Sequence, residues 1–493
     1  VARRDQADGH AGAFELQLQQ PLTRLCNHVA RALPRVLLVA ATLLTACTGE
    51  VRTCQSPQQC PTNMKCVDGA CQFAPFVDAL VGTGEIKQAD GGANACVAKP
   101  GGPKPRAEAS GGVIDGLVLA IGGDDGATGR CTFAINARSD AWLHERCKAW
   151  QPMPADPFMP SPRSAAAVAV DTTGGRLYFY GGRHRKKPTS NWQLHRDLRQ
   201  FDRPTGKWKL LSASGAKAVS HGGLALDRKR HRLYLIGGDA AVTGTSVIPV
   251  SLVMHFDLKT KQWQLSAALG APPARARHAV ATSADGKYLF VYGGVLANGA
   301  IDAQLWRLDL EKPKWAVVSA AGNRPTGRVG AGFVTQPASE RLLLFGGGDA
   351  TALAYRNDVW ALDTTKLAWK RLYDGDLGLD KKYGGKLEVG NGINCASGKP
   401  AGGVPGGFNI VATQGPQRRA YAIVGWDVAR NALVVFGGRG DCGPLADIWS
   451  FDPDASTWAI RDTTRTGWSC PRRAAADGTD VKACALLCLK PGN

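Results

Sequence analysis

The chain contains no apolar run long enough to cross a bilayer. Its most hydrophobic stretch, Val36 to Leu44, is about half the ~20 residues that a membrane-spanning helix requires. Motifs that announce chemistry are equally scarce. His144-Glu145-Arg146-Cys147 lacks a second histidine one helical turn on, which excludes the zinc-protease pattern, and Gly123-Asp124-Asp125-Gly126 is too short for a calcium loop. Neither a serine nucleophile elbow nor a phosphate-cradling glycine loop occurs. No basic run is interleaved with aromatics, so specific nucleic-acid recognition is not expected. These absences leave no catalytic set, metal site or cofactor to predict.

What the sequence does have is glycine, 60 in 493 residues, with 44% hydrophobic and only 20% charged residues. Many tight turns joining short buried strands make an all-β fold the natural expectation. The formal charge of +19 gives a positive field that favours acidic partners without selecting among them.

Arg31 and Arg35 precede the apolar run, which ends in Leu44-Thr45-Ala46-Cys47. This resembles a bacterial lipoprotein signal, and the resemblance implies cleavage before Cys47, lipidation of its thiol and a cell-envelope location. Residues 1–28 fit no part of such a signal. With Cys26 in the leader and Cys47 at the anchor set aside, 12 of the 14 cysteines remain, an even number suited to disulfides in an oxidising compartment. Cys54, Cys60, Cys66 and Cys71 are closely spaced, so cross-links must hold a segment too short to bury a core. Their three connectivities stay open, with a four-cysteine zinc site as the competing reading. The segment resembles the small Dickkopf-like cysteine-rich units found behind lipoprotein anchors. Cys96, Cys131, Cys147, Cys395, Cys442, Cys470, Cys484 and Cys488 complete the disulfide candidates, with Cys131 and Cys147 expected to bridge.

The rest of the chain repeats. An apolar strand ending in a glycine pair occurs six times, the first glycines standing at 122, 181, 237, 293, 346 and 437. A second strand then ends in Asp, with Trp six residues on: Asp202 and Trp208, Asp257 and Trp263, Asp309 and Trp315, Asp363 and Trp369, Asp452 and Trp458. A period near 50 residues with Tyr-Gly-Gly or Phe-Gly-Gly, then Asn357-Asp358-Val359-Trp360-Ala361-Leu362-Asp363 and Trp369, resembles the kelch family. The resemblance implies a six-bladed β-propeller, seven blades being the alternative, in which each repeat is one four-stranded blade. A ring must hide its edges, so a strand near one end is expected to pair with the blade at the other.

Aligned backward from the glycine pairs, Arg106, Arg163, His221, Arg277, Arg328 and Arg419 fall at the lead-in to each blade's first strand. Equivalent positions in a propeller form a ring, and in the family this region faces the central mouth. Five guanidinium groups there would favour a carboxylate, sulfate or phosphate ligand, whereas a scaffold role would spend them on neighbouring backbone.

The expected organisation is a leader and signal over 1–46, a lipidated Cys47 with the cysteine-rich module to 81, a Gly/Pro-rich linker over 82–103, the propeller over 104–462 with an insertion at 373–417, and a cysteine-containing tail over 463–493. The function this implies is an envelope or surface lipoprotein that acts as a monomer and binds a protein, peptide or glycan ligand through its propeller. A secreted kelch-fold enzyme, either a galactose oxidase-like copper oxidase or a sugar mutarotase, is the alternative.

Overall fold

The computed structural model describes residues 64–67 and 70–73, and residues 101–462 except 125–136, 187–189, 215, 242–246, 267, 350–353, 376–414, 417 and 441–442. The chain divides into two compact units, Val1–Lys87 and Gln88–Asn493. In the first, Met64–Val67 pairs antiparallel with Ala70–Phe73, Cys66 standing opposite Cys71. The leader, Cys47 and the tail lie outside the described residues, as do the cysteines beyond Cys66, Cys71 and Cys147. Cys147 is disulfide-bonded.

The second unit is an all-β propeller of six blades. Each is an antiparallel sheet whose four main strands run in chain order from the axis outward. In blade 2 these are Ala167–Asp171, Arg176–Tyr180, Leu198–Asp202 and Lys207–Ser212. The innermost strands of the other blades are Ser110–Ile114, Gly223–Asp227, Ala279–Thr282, Gly332–Gln336 and Ile423–Asp427. The second strands read as unbroken apolar runs, such as Leu177-Tyr178-Phe179-Tyr180, because both faces of each sheet are covered by neighbouring blades. Trp369 shows the same logic at the rim. It is buried against Tyr292 of blade 4 and Phe333 of its own blade, so the repeat tryptophan fills the space between sheets.

The repeat aspartates cap hairpins. Asp363 Oδ1 accepts the N–H of Thr365 and Lys366, and Asp257, Asp309 and Asp452 do the same two and three residues ahead.

Ring closure departs from the expected strand exchange. Each blade is complete within one stretch of sequence, and among the described residues no strand crosses from one end of the chain to the other. Blade 1 instead meets blade 6 face to face, Ser110–Ile114 against Ile423–Asp427. Val113 lies so close to Gly425 that a Cβ there would stand 2.6 Å from its methyl group. Blade 5 likewise packs directly on blade 6 through Gly332 and Val424, which leaves no place for a seventh blade between them.

Candidate functional site

The sequence alignment merged two neighbouring positions that the structure separates. Arg163, Arg275, Arg328 and Arg419 each donate from Nη1 to the carbonyl of the first glycine of their own blade, eighteen residues on, and Arg106 does so sixteen residues on. The blade 4 member of this set is therefore Arg275, not Arg277, and the blade 3 member is Val219, not His221. All five arginines are buried. Each faces a carboxylate: Asp140 at 2.8 Å, Asp197 at 2.5 Å, Asp302 at 2.9 Å, Asp358 at 2.7 Å and Asp447 at 2.7 Å. Burial alone would raise the pKa of Asp447, but Arg419 outweighs it and holds the carboxyl below its usual range. Trp142, Trp360 and Trp449 add an indole N–H to the same carboxylates.

The backbone of this position also joins blades. The second glycine of one pair donates its N–H to the carbonyl of the next blade's lead-in residue, as Gly238 does to Arg275 at 2.8 Å. A Cβ on Gly237 would stand 2.3 Å from that same oxygen, so only glycine fits there. Among the sequence-predicted site residues, Arg106, Arg163, Arg328 and Arg419 are thus interblade clips whose guanidinium groups are directed at internal acceptors.

Two residues further on lies a second ring, made of Glu108, Ala165, His221, Arg277, Gly330 and Tyr421. All six adopt positive φ, from 52° at Glu108 to 63° at Gly330. Their backbones form a belt around the axis. Ala165 N–H donates to Glu108 O, His221 to Ala165, Arg277 to His221, Gly330 to Arg277 and Tyr421 to Gly330, at 2.8–2.9 Å. Gly330 is required where it stands, because a Cβ would meet the Tyr421 ring at 2.6 Å.

The side chains of this belt and their neighbours build a continuous line of polar contacts. Arg183 Nη2 lies 3.1 Å from Glu108 Oε1, which lies 3.2 Å from His221 Nε2. His221 Nδ1 is 3.1 Å from Asp239 Oδ2, and Arg277 Nη2 is 2.8 Å from the same oxygen. Ser164 Oγ donates to Glu108, and the His221 and Tyr421 rings are 5.7 Å apart. Arg183 and Arg185 place their guanidinium groups 4.2 and 4.4 Å from the Trp192 ring. Burial would push the Glu108 carboxyl up, yet Arg183 and His221 overcome it and hold the group well below the ordinary range. Asp239 is lowered in the same way, burial being outweighed by His221, Arg277 and Arg183. Burial raises the Tyr421 phenol.

Sequence reasoning found His221 and Arg277 but missed Glu108, Arg183, Asp239 and Tyr421. Belt residues share a backbone conformation and not a residue type, so no letter repeats; their fixed offset from the clip arginines was the signal available. His278 is buried with its ring against Gly223 and Gly237. Among the described residues no three His, Cys, Asp or Glu side chains are grouped as metal ligands.

Comparison with known proteins agrees with this architecture. Residues 110–296 and 224–377, together more than half of the chain, match the KLHDC2/KLHL20/DRC7 Kelch-repeats domain. Acyl-CoA-binding domain-containing protein 4 of Arabidopsis thaliana is 31% identical over 195 residues, covering 39% of this chain and 27% of that protein. Host cell factor 1 of Homo sapiens is 27% identical over 231 residues, 40% of this chain and 11% of the other. The flagellar outer-arm dynein alpha chain of Chlamydomonas reinhardtii is 28% identical over 235 residues, 45% and 5% respectively. The chain spans well under a third of the length of these relatives, whose functions are varied. Six sequential four-stranded blades, joined by glycine-pair clips and matched across more than half of the sequence, make this chain a member of the kelch-repeat β-propeller family.

Proposed function

We propose that the propeller is a binding module whose ligand, a protein, peptide or glycan, docks on the axial belt. The observation that carries this reading is backbone strain. Left-handed φ costs a non-glycine residue roughly 1–2 kcal/mol, and Glu108, His221, Arg277 and Tyr421 accept that cost where glycine would fit the turn. Strain retained at adjacent positions with long polar side chains is characteristic of a functional surface. Both signs of charge are presented, with aromatic faces at Trp192 and Tyr421, so directional polar contacts would set ligand choice. An anionic ligand would pair with Arg277, whose side chain is 25% exposed, in contrast to the buried clip arginines.

Glycan and peptide arrays probed with the full chain test this. Ligands recovered on wild type should lose about tenfold or more in affinity in Arg277→Ala and Tyr421→Ala, the loss of one charge-assisted contact being worth about 1.5–3 kcal/mol. Ligands that bind both variants as well as wild type would place the site elsewhere.

The same proposal sets the module on a membrane surface. The Arg-flanked apolar run ending at Cys47 supports an exported, lipid-anchored protein in a bacterial cell envelope. Cys47→Ser removes the acyl acceptor and should yield unprocessed, unacylated protein by intact-mass analysis. A mature wild-type chain that starts elsewhere and carries no acyl groups would overturn the anchor.

A further inference from the structure

At the end of the ring opposite the belt, each blade closes two hairpins, one between its first and second strands and one between its third and fourth. In blade 3 these turns run from Asp227 to Arg232 and from Asp257 to Gln262, and the Leu258 N–H ties them together by donating to His231 O at 2.8 Å. They read Asp-Arg-Lys-Arg-His-Arg and Asp-Leu-Lys-Thr-Lys-Gln, so Arg228, Lys229, Arg230, Arg232, Lys259 and Lys261 stand against two acids. The matching turns of blade 2 hold Arg176, Arg203 and Lys207 against Asp171 and Asp202, and those of blade 4 hold Lys287, Lys312 and Lys314 against Asp285, Asp309 and Glu311. Across the ring, blade 6 has Arg430 alone against Asp427, Asp452 and Asp454. This end of the ring is therefore basic in one sector and acidic in the opposite one.

Turn geometry does not ask for these cations. His231 has φ 54° and Lys261 φ 62°, a left-handed conformation that glycine adopts most readily, and blade 2 closes the same two turns with Gly175 and Gly206 at 63° and 65°. Local pairing engages the acids mainly through the arginines and the turn backbone. Arg228 Nε lies 3.3 Å from Asp171 Oδ1 of blade 2, and Arg230 Nη1 lies 3.2 Å from Asp227 Oδ2. Arg232 stands in register with Asp257, whose Oδ1 accepts the N–H groups of Lys259 and Thr260. With those acids engaged, Lys229, Lys259 and Lys261 hold their charge at exposed positions. The Lys229 stem extends the sector toward blade 4, its Cδ standing 3.4 Å from the place a Cβ on Gly286 would take.

We propose that the hairpin turns of blade 3 bind an anionic polysaccharide, its sulfate or carboxylate groups pairing with Lys229, Lys259 and Lys261. Composition selects the class. Neither turn has a Phe, Tyr or Trp, which stacking of nucleobases would need. Lysine is depleted at protein interfaces, whose cores favour aromatic anchors, and neither turn exposes an apolar side chain to enter a bilayer. A polymer held by repeated charge needs only what the sector offers: cations in close succession, with Thr260 and Gln262 beside them as polar partners for its hydroxyl groups. The site lies at the other end of the ring from the axial belt and does not rest on the function proposed for it.

Titration of the full chain with a fluorescently labelled heparin fragment tests the proposal. Wild type should bind saturably, with affinity falling as salt rises. Lys229→Gln, Lys259→Gln and Lys261→Gln combined remove three surface contacts of modest individual worth, and should weaken heparin about tenfold with an unchanged melt. A charge-matched variant, Lys148→Gln, Lys366→Gln and Lys370→Gln in blades 1 and 5, should stay within about twofold of wild type, as should Arg277→Ala in the belt. The proposal is overturned if wild type shows no saturable binding, or if the charge-matched variant loses as much as the blade 3 variant, since net charge would then be the cause. Loss of binding in Arg277→Ala would overturn it by moving the polyanion to the belt. It is equally overturned if a thymidine oligonucleotide of the same charge, or a vesicle containing phosphatidylglycerol, binds the blade 3 lysines more tightly than heparin does.

Discussion

Arg328 satisfies acceptors in three directions: Gly346 O and both oxygens of Asp358 on one side, Thr326 O on the other, all within 3.2 Å. Both charges of the pair are 1% exposed. Removing one partner of such a pair strands the other, at about 3–5 kcal/mol, whereas replacing the whole group by apolar residues is often neutral. Blade 3 displays that replacement already, with Val219, Leu252 and Met254 where blade 5 has Arg328, Asp358 and Trp360, and all three pack in its core cluster. Arg328→Val should therefore lower stability by about 3–5 kcal/mol in urea denaturation. The triple change Arg328→Val, Asp358→Leu, Trp360→Met should recover most of the loss. A triple variant no more stable than the single would show that the two blades do not use equivalent positions.

At the scale of blades, the interface between blades 3 and 4 carries a titratable weak point. The His278 ring lies against Gly223 and Gly237, and burial, reinforced by Arg275, pushes its pKa down to about 3. Unfolded, the imidazole takes up a proton below about pH 6.5. Folded, it resists until about 3, so its contribution is complete above 6.5 and falls as pH drops between those values, by up to about 1.4 kcal/mol per unit. His195, lowered to about 4 by burial and Arg163, adds to the same slope. Carboxylates held low by their neighbours, Glu108 and Asp239 among them, lose their contribution only below about pH 4. The melting temperature should decline from pH 6.5 to 5, and His278→Leu should flatten that decline; an unchanged slope would show that His278 is not the source. The blades themselves were legible because glycine pairs, hairpin aspartates and rim tryptophans each meet a demand that one residue type satisfies. The belt was not, since Glu, Ala, His, Arg, Gly and Tyr share its left-handed backbone without a common residue type, and a two-residue offset turned His221 and Arg277 into apparent members of the clip.

The whole ring is held by contacts between faces and not by exchange of a strand, which decides what truncation does. Blade 6 contributes to two core clusters. With blade 1 it buries Val113, Val118 and Trp150 against Ile423, Val434, Phe436 and Ile448; with blade 5 it buries Leu343 and Phe345 against Trp426, Leu433 and Phe451. It also supplies Tyr421, whose N–H continues the axial belt from Gly330, and Gly437, which sits 3.7 Å, measured from an added Cβ, from the Arg106 carbonyl. Deleting residues 417–462 would uncover both apolar faces at once, and the faces of blades 1 and 5 are too far around the ring to replace blade 6 without every clip changing its angle. Large exposed apolar patches drive association. The truncated chain should accordingly be insoluble, or soluble without a cooperative melt, while deletion of residues 48–100 should leave the melt of the propeller unchanged. A five-blade product that is monomeric by sedimentation and melts cooperatively would show that the clips tolerate a smaller ring and that blade number is not fixed by face packing.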